Sequence, residues 1–139
     1  MPQHAHTFTV STQGKGLYEI TDAVQRWAEG QGAGIGLLTL YCRHTSASLL
    51  ISENAARAVR TDLEAFFERI APEAPGRYTH DDEGPDDMPA HLRAALTATS
   101  LSIPLVDGRL VLGTWQGVYL FEHRRAPHRR EVVAHLLAA

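Results

Sequence analysis

The period of apolar and polar positions changes several times along the chain, and each change marks an element. Residues 6–12, HTFTVST, are β-branched and aromatic and predict a first strand, closed by the turn Gln13-Gly14-Lys15-Gly16. A short helix follows: Thr21 can cap it, Ala23, Val24 and Trp27 fall on one side, and Gly30 with Gly32 ends it. Over 34–43, Ile35, Leu37, Thr39 and Tyr41 alternate with Leu38, Leu40 and Cys42. Both sets are largely apolar, which predicts a central strand buried on both faces. A second apolar run, Ala47 to Ile51, reads as strand, after which Asn54 caps a helix over 55–70. In that helix Ala56, Val59, Leu63, Phe66, Phe67 and Ile70 recur at helical spacing and form a core-facing stripe.

Residues 71–86 are rich in Pro, Gly and acidic side chains and read as a long loop. A third helix is predicted over 87–97, with Asp87 at its N-terminus and Pro89 in its first turn. From residue 101 the pattern is all strand. Asp107-Gly108 is a two-residue hairpin signal between LSIPLV and RLVLGT, and the runs 116–122 and 131–137 extend the sheet. The order β-α-β-β-α-α-β-β-β-β does not alternate regularly. It predicts an α+β fold with a mostly antiparallel sheet and three helices, in one domain over 1–139.

Composition narrows the function. With 44% hydrophobic and 21% charged residues the chain can build a core, and its net charge of -3 gives no general attraction for nucleic acid. No stretch is long and apolar enough for a membrane span, and the N-terminal residues lack a signal-peptide pattern, so a cytoplasmic protein is expected. The single Cys42 reads as a buried structural thiol. Twelve of the thirteen basic residues are Arg, a bias of genome composition, whereas eight histidines are a chemical oddity.

The histidines sit at informative places. His44 leaves the central strand; alone, such a residue usually just bonds a backbone group. Asp87 and His91 stand four apart, on one face of a helix, where a carboxylate can orient an imidazole as general base or metal ligand. His80, in the preceding loop, can join them. Asp81, Asp82, Glu83 and Asp86 read as a solvated acidic loop. Gly113-Thr114-Trp115-Gln116-Gly117 interrupts a strand region, as a bulge or as a close approach to a ligand. Arg124, Arg125, Arg129 and Arg130 are either a solvated cluster or an anion grip. P-loop, dinucleotide, H-E-x-x-H and C-x-x-C patterns are missing, and G-x-S-x-G does not surround Ser46 or Ser48.

Taken together, His44-Thr45-Ser46-Ala47-Ser48-Leu49, Glu53-Asn54, Asp62, the spacing from Tyr78 and His80 to Asp87-Met88-Pro89-x-His91, and Gly113-Thr114-Trp115-Gln116-Gly117 resemble the YjbQ family over nearly the whole chain. The resemblance implies a family-specific α+β fold, a homotrimer and a pocket lined by these residues. It also implies a weak, secondary thiamine-phosphate synthase activity, which joins a pyrimidine diphosphate to a thiazole phosphate and releases pyrophosphate. Carried over, His44, His80 and His91 would be metal ligands or proton carriers, with Glu53 and Asp87 orienting them. Ser46, Asn54, Trp115 and Gln116 would bind substrate, and Arg129 and Arg130 its phosphate. A divalent ion is expected, zinc from the imidazoles or magnesium from the pyrophosphate chemistry. A non-catalytic binder of a phosphorylated metabolite and a metal-dependent hydrolase are the alternative readings.

Overall fold

The computed structural model describes residues 2–139. Its elements run β1 (Gln3–Thr12), β2 (Gly16–Glu19), α1 (Thr21–Glu29), β3 (Ile35–Cys42), β4 (Ala47–Glu53), α2 (Arg57–Ile70), α3 (Asp87–Leu96), β5 (Ser100–Val106), β6 (Arg109–Leu110), β7 (Gln116–Glu122) and β8 (His128–Ala138). They form two antiparallel sheets, one ordered β1-β8-β3-β5-β6 and the other β2-β7-β4. The α+β class, the three helices and the Asp107-Gly108 hairpin stand as the sequence predicts. Asp107 takes a positive φ of 51°, as a tight two-residue turn demands.

The core is the layer between the sheets. Leu38, Leu40, Val132, Ala134, Leu136, Ile103 and Leu105 of the large sheet meet Ala47, Leu49, Val118 and Leu120 of the small one, and Val24 and Ala28 of α1 close one end. Cys42 is buried there and its thiol donates to the Ala47 carbonyl. The outer face of the small sheet carries Tyr119 and Phe121, met by α2 through an edge-to-face contact of Phe67 with Phe121 and a hydrogen bond from Arg60 to the Tyr119 hydroxyl. Arg93 of α3 donates to the Ala71 carbonyl at 3.0 Å and pairs with Glu68, fastening the two helices together.

Several expectations are corrected. The stretch after the first turn is a short strand, β2, before α1 begins; four residues next to two glycines carry too little periodicity to announce it. β3 is buried on one face only, because Ile35, Leu37 and Tyr41 lie on the outer face of the large sheet. The α2 stripe is mostly open: Phe67 is buried, while Phe66 and Ile70 are nearly half exposed, since the small sheet offers α2 only the Tyr119 and Phe121 side of β7. The RLVLGT segment pairs only through Arg109 and Leu110.

Neither expected cap is one. Ile20 is the N-cap of α1, and the Thr21 hydroxyl instead accepts from the Val118 amide and donates to Glu19. Ala56 is the N-cap of α2; the Glu53 carboxylate accepts its N–H, and Asn54 donates to Glu19. No helix among the described residues is long and apolar enough to cross a membrane.

A buried polar chain runs from β7 to α3. His123 Nε2 lies 2.9 Å from Ser48 Oγ, Ser48 Oγ lies 2.5 Å from Thr97 Oγ1, and Thr97 donates to the Arg93 carbonyl at 2.8 Å. The Thr97 hydroxyl is thus the donor toward both Ser48 and the Arg93 carbonyl, and Ser48 in turn meets the His123 ring. The buried Nδ1 of His123 has no partner. Burial, reinforced by the charges of Arg93 and Arg130, pushes His123 down to about 3.

The folded state therefore refuses a proton that the unfolded chain accepts below about pH 6.5. The His123 contribution is complete above that pH and is lost on acidification toward 3, at up to about 1.4 kcal/mol per pH unit. His44, lowered chiefly by burial, acts in the same direction. Urea unfolding at pH 7.5, 6.0 and 5.0 should show this decline, and His123→Gln should flatten it. Equal slopes in both proteins would refute the assignment.

Candidate functional site

One carboxylate organises the candidate site. Asp87 opens α3, and the helix repeat places His91 one turn later on the same face. The 71–86 loop brings back His80. Asp87 Oδ2 lies 2.7 Å from His80 Nε2 and 3.0 Å from His91 Nε2. The other oxygen, Oδ1, accepts from Arg124 Nη1 at 2.6 Å. Arg124 Nε donates to Asp86 Oδ2 at 3.0 Å, and its Nη2 to the Glu83 carbonyl at 3.0 Å. Asp86 and Asp87 are both buried, so the arginine fixes the loop and the helix start as one unit.

Burial alone would raise the Asp87 carboxyl, but the hydrogen bond from His80 and the charges of His91 and Arg124 outweigh it and hold it below the usual carboxylate range. Asp86 is likewise held low against burial, by the Arg125 amide and by Arg124. His80 is raised, first by its bond to Asp87 and further by the charges of Asp82, Asp87 and Glu83.

His91 gives the sharpest clue. Its Nδ1 lies 2.8 Å from the Thr45 carbonyl, which can only accept, so the Nδ1 proton is fixed there. Nε2 is left facing a carboxylate oxygen and must carry a second proton or direct its lone pair at a cation. A carbonyl-bound imidazole beside a carboxylate is the arrangement that metal ligands use. The potential ligand atoms of His80, Asp87 and His91 all lie within 4.8 Å of one another. Tetrahedral zinc would place such atoms roughly 3.3 Å apart, a small opening from the observed contacts. Two imidazole nitrogens suit zinc-class ions and not magnesium, which wants an octahedron of oxygens. Beside His80 opens a pocket of about 380 Å³, walled by Ala74, Pro75, Tyr78, Pro85 and Met88.

The family model for UPF0047 protein YjbQ-like matches residues 6–139. The chain belongs to the YjbQ family. It is 53% identical over 134 residues to UPF0047 protein sll1880 of Synechocystis, covering 96% of this chain and 91% of that protein. It is 44% identical to UPF0047 protein YjbQ of Escherichia coli O157:H7, covering 94% of each. Among solved structures, an uncharacterized YjbQ/UPF0047 protein of Clostridium acetobutylicum aligns with TM-score 0.86 at 29% identity, covering 95% of this chain and 99% of that one. A YbjQ-like protein of unknown function from Sulfolobus solfataricus, 20% identical, shares the fold at TM-score 0.87, covering 99% of this chain and 100% of its own.

Not every residue that the YjbQ resemblance nominates joins the cluster. His44 turns to the large sheet, where Nε2 accepts the Glu131 amide at 2.7 Å; its neighbour Thr45 supplies the site only a carbonyl. Glu53 and Asn54 lie at the far end of β4, about 20 Å along the strand from the His44 end. Gln116 accepts the Gly113 amide, and Trp115 is largely exposed near Asn54, whose amide bonds the Trp115 carbonyl. The close approach expected at Gly117 is real, but the chain fills it: a Cβ there would meet Glu19 Oε2 at 2.7 Å and Asn54 Cβ at 2.8 Å.

Arg130 is no phosphate grip. It is buried, forms a two-point pair with Glu122, and donates to Ser46 Oγ at 2.9 Å, so Ser46 is occupied as well. Arg129 is exposed on β8. Arg124, Thr45 and Asp86 are the members that sequence reasoning missed. A carbonyl leaves no sequence signal, and an acidic loop looks solvated until its arginine is located.

Proposed function

We propose that this YjbQ-family chain is an enzyme acting on a phosphorylated small molecule at the His80–Asp87–His91 cluster, with thiamine-phosphate synthesis as the activity to assay. The observation that carries the reading is the convergence of two imidazole nitrogens on one buried carboxylate oxygen beside a pocket. A divalent ion held by His80, Asp87 and His91 would supply positive charge to a departing phosphate or pyrophosphate. His80 stands at the pocket edge and would offer the ion its Nε2. Asp87 sets its direction, Arg124 holds Asp87, and Thr45 fixes the His91 tautomer. In an assay with pyrimidine diphosphate and thiazole phosphate, His91→Ala should lose turnover at least 100-fold while staying folded. Unchanged turnover would remove the reading.

The alternative is a non-catalytic binder of the same phosphates; among the described residues lining the pocket His80 is the one basic side chain, so in either reading the bound cation would supply most of the charge. Calorimetry separates the two, because a binder takes up both phosphates without consuming them at any metal concentration.

The homotrimer belongs to the same proposal. Sheet register places Ile35 beside Val106 and Leu37 beside Leu137, and with Tyr41 these exposed side chains form one apolar face across β3, β5 and β8. Contiguous apolar surface of this kind marks association. Light scattering should find a trimer, and Leu37→Asp should dissociate it. A monomeric wild-type protein would contradict this.

A further inference from the structure

We propose that the hollow beside His80 receives the organic part of the phosphorylated ligand, and that this part is a single uncharged apolar ring and not a sugar. The inference rests on the cation reading above, because the ring's phosphate would meet the ion. Pocket and cluster are joined in two ways. His80 belongs to both, and Met88, a pocket wall, directly follows Asp87 in α3. A ligand whose phosphate reached the His80 nitrogen would therefore lay its organic part against Pro75, Tyr78, Pro85 and Met88.

Those walls are apolar, and polar groups beside them are already engaged. Tyr78 turns its hydroxyl to the Pro72 carbonyl at 2.7 Å. The Ala74 carbonyl accepts from the Arg77 amide at 2.9 Å, and the Gly84 carbonyl from the Asp87 amide at 3.3 Å. A sugar would bring several hydroxyls against surfaces with few partners left for them, and each hydroxyl that loses water unpaired weakens binding. An apolar ring leaves water without that penalty. The flat faces of Tyr78 and the two prolines, with the Met88 thioether, suit contact with a ring. Size agrees. An apolar cavity of roughly 150 Å³ holds one benzene, so a hollow of about 380 Å³ has room for one ring and its phosphate. Asp81, exposed and the one acidic side chain among the described residues lining the pocket, disfavours a second anionic group on that ring.

The test loads the full chain with zinc and compares phenylphosphonate, methylphosphonate and ribose 5-phosphate by calorimetry. The two phosphonates share a head group and differ in the ring. Phenylphosphonate should bind at least tenfold more tightly than either of the others. Ala74→Phe, which fills the hollow from the loop, should bring phenylphosphonate down to the level of methylphosphonate. Met88→Gln, similar in length but polar, should lower the preference several-fold. Each preference is a ratio within one protein, so a partly destabilised variant still reports it. Equal binding of the two phosphonates by zinc-loaded wild type, binding of neither, or ribose 5-phosphate matching phenylphosphonate would overturn the ring inference and leave the ion in place. A ring preference that survives in both variants would overturn it as well, by placing the ring elsewhere. Zinc binding that is absent from wild type, or unchanged in His80→Ala, would overturn the cation reading and this inference with it.

Discussion

Replacing Asp87 with Asn is expected to reduce turnover at least 100-fold and to return the His80 imidazole toward its ordinary pKa. The carboxylate has three partners, all cations or N–H donors: Arg124 at 2.6 Å, His80 at 2.7 Å and His91 at 3.0 Å. An amide of the same shape presents one oxygen and one NH₂. Turned toward Arg124, the NH₂ opposes a guanidinium; turned the other way, it opposes the two imidazoles. Some part of the network fails in either orientation. Asp86 keeps Arg124 partly paired, so the stability cost should stay near 1–3 kcal/mol, well below the functional loss. Proton titration by NMR is decisive. His80 is raised mainly through Asp87, so its titration must move to lower pH in the variant; an unmoved midpoint would show that the bond does not form in solution.

Glu122→Gln should be the most damaging change to the fold, at about 3–5 kcal/mol, the usual result of removing one member of a buried ion pair. Glu122 is fully buried. Both its oxygens face Arg130, at 2.7 Å from Nε and 2.5 Å from Nη2, and it also accepts from Thr12 and from the His123 and Arg124 amides. Five donors fill its lone pairs, which offsets the cost of burial and keeps its carboxyl below the usual range. The variant leaves a guanidinium buried and turns one acceptor into a donor. Thermal unfolding should shift down by on the order of 10–20 °C. A shift of only a degree or two would mean that Arg130 finds solvent by another route.

The sequence was most legible where local chemistry decides the outcome. Helical spacing marked α2, Asp87 with Pro89 marked the start of α3, Asp107-Gly108 marked a hairpin, and the four-residue step from Asp87 to His91 marked the heart of the site. It was least legible where a distant segment completes the structure. Arg124 looked like one of four loose arginines because its partners lie 37 and 38 residues away. Arg130 looked like a phosphate ligand because nothing local shows Glu122 turned inward. His44 shares a chain segment with Thr45, but its ring and that carbonyl point to different neighbours. The apolar outer side of β3 was read as buried because a pattern reports that a face is greasy, not what covers it.

The strand order has a consequence for how the molecule is made. β8 lies between β1 and β3, pairing Phe8 with Val132 on one side and Leu38 with Leu136 on the other. During synthesis, β1 has no seat until residues 128–138 leave the ribosome, and β3 keeps one edge bare for the same interval. Such long-range closure slows folding and exposes sticky edges meanwhile. A stalled nascent chain lacking those residues should be sensitive to protease and bound by chaperones, and release of the last strand should end both states together.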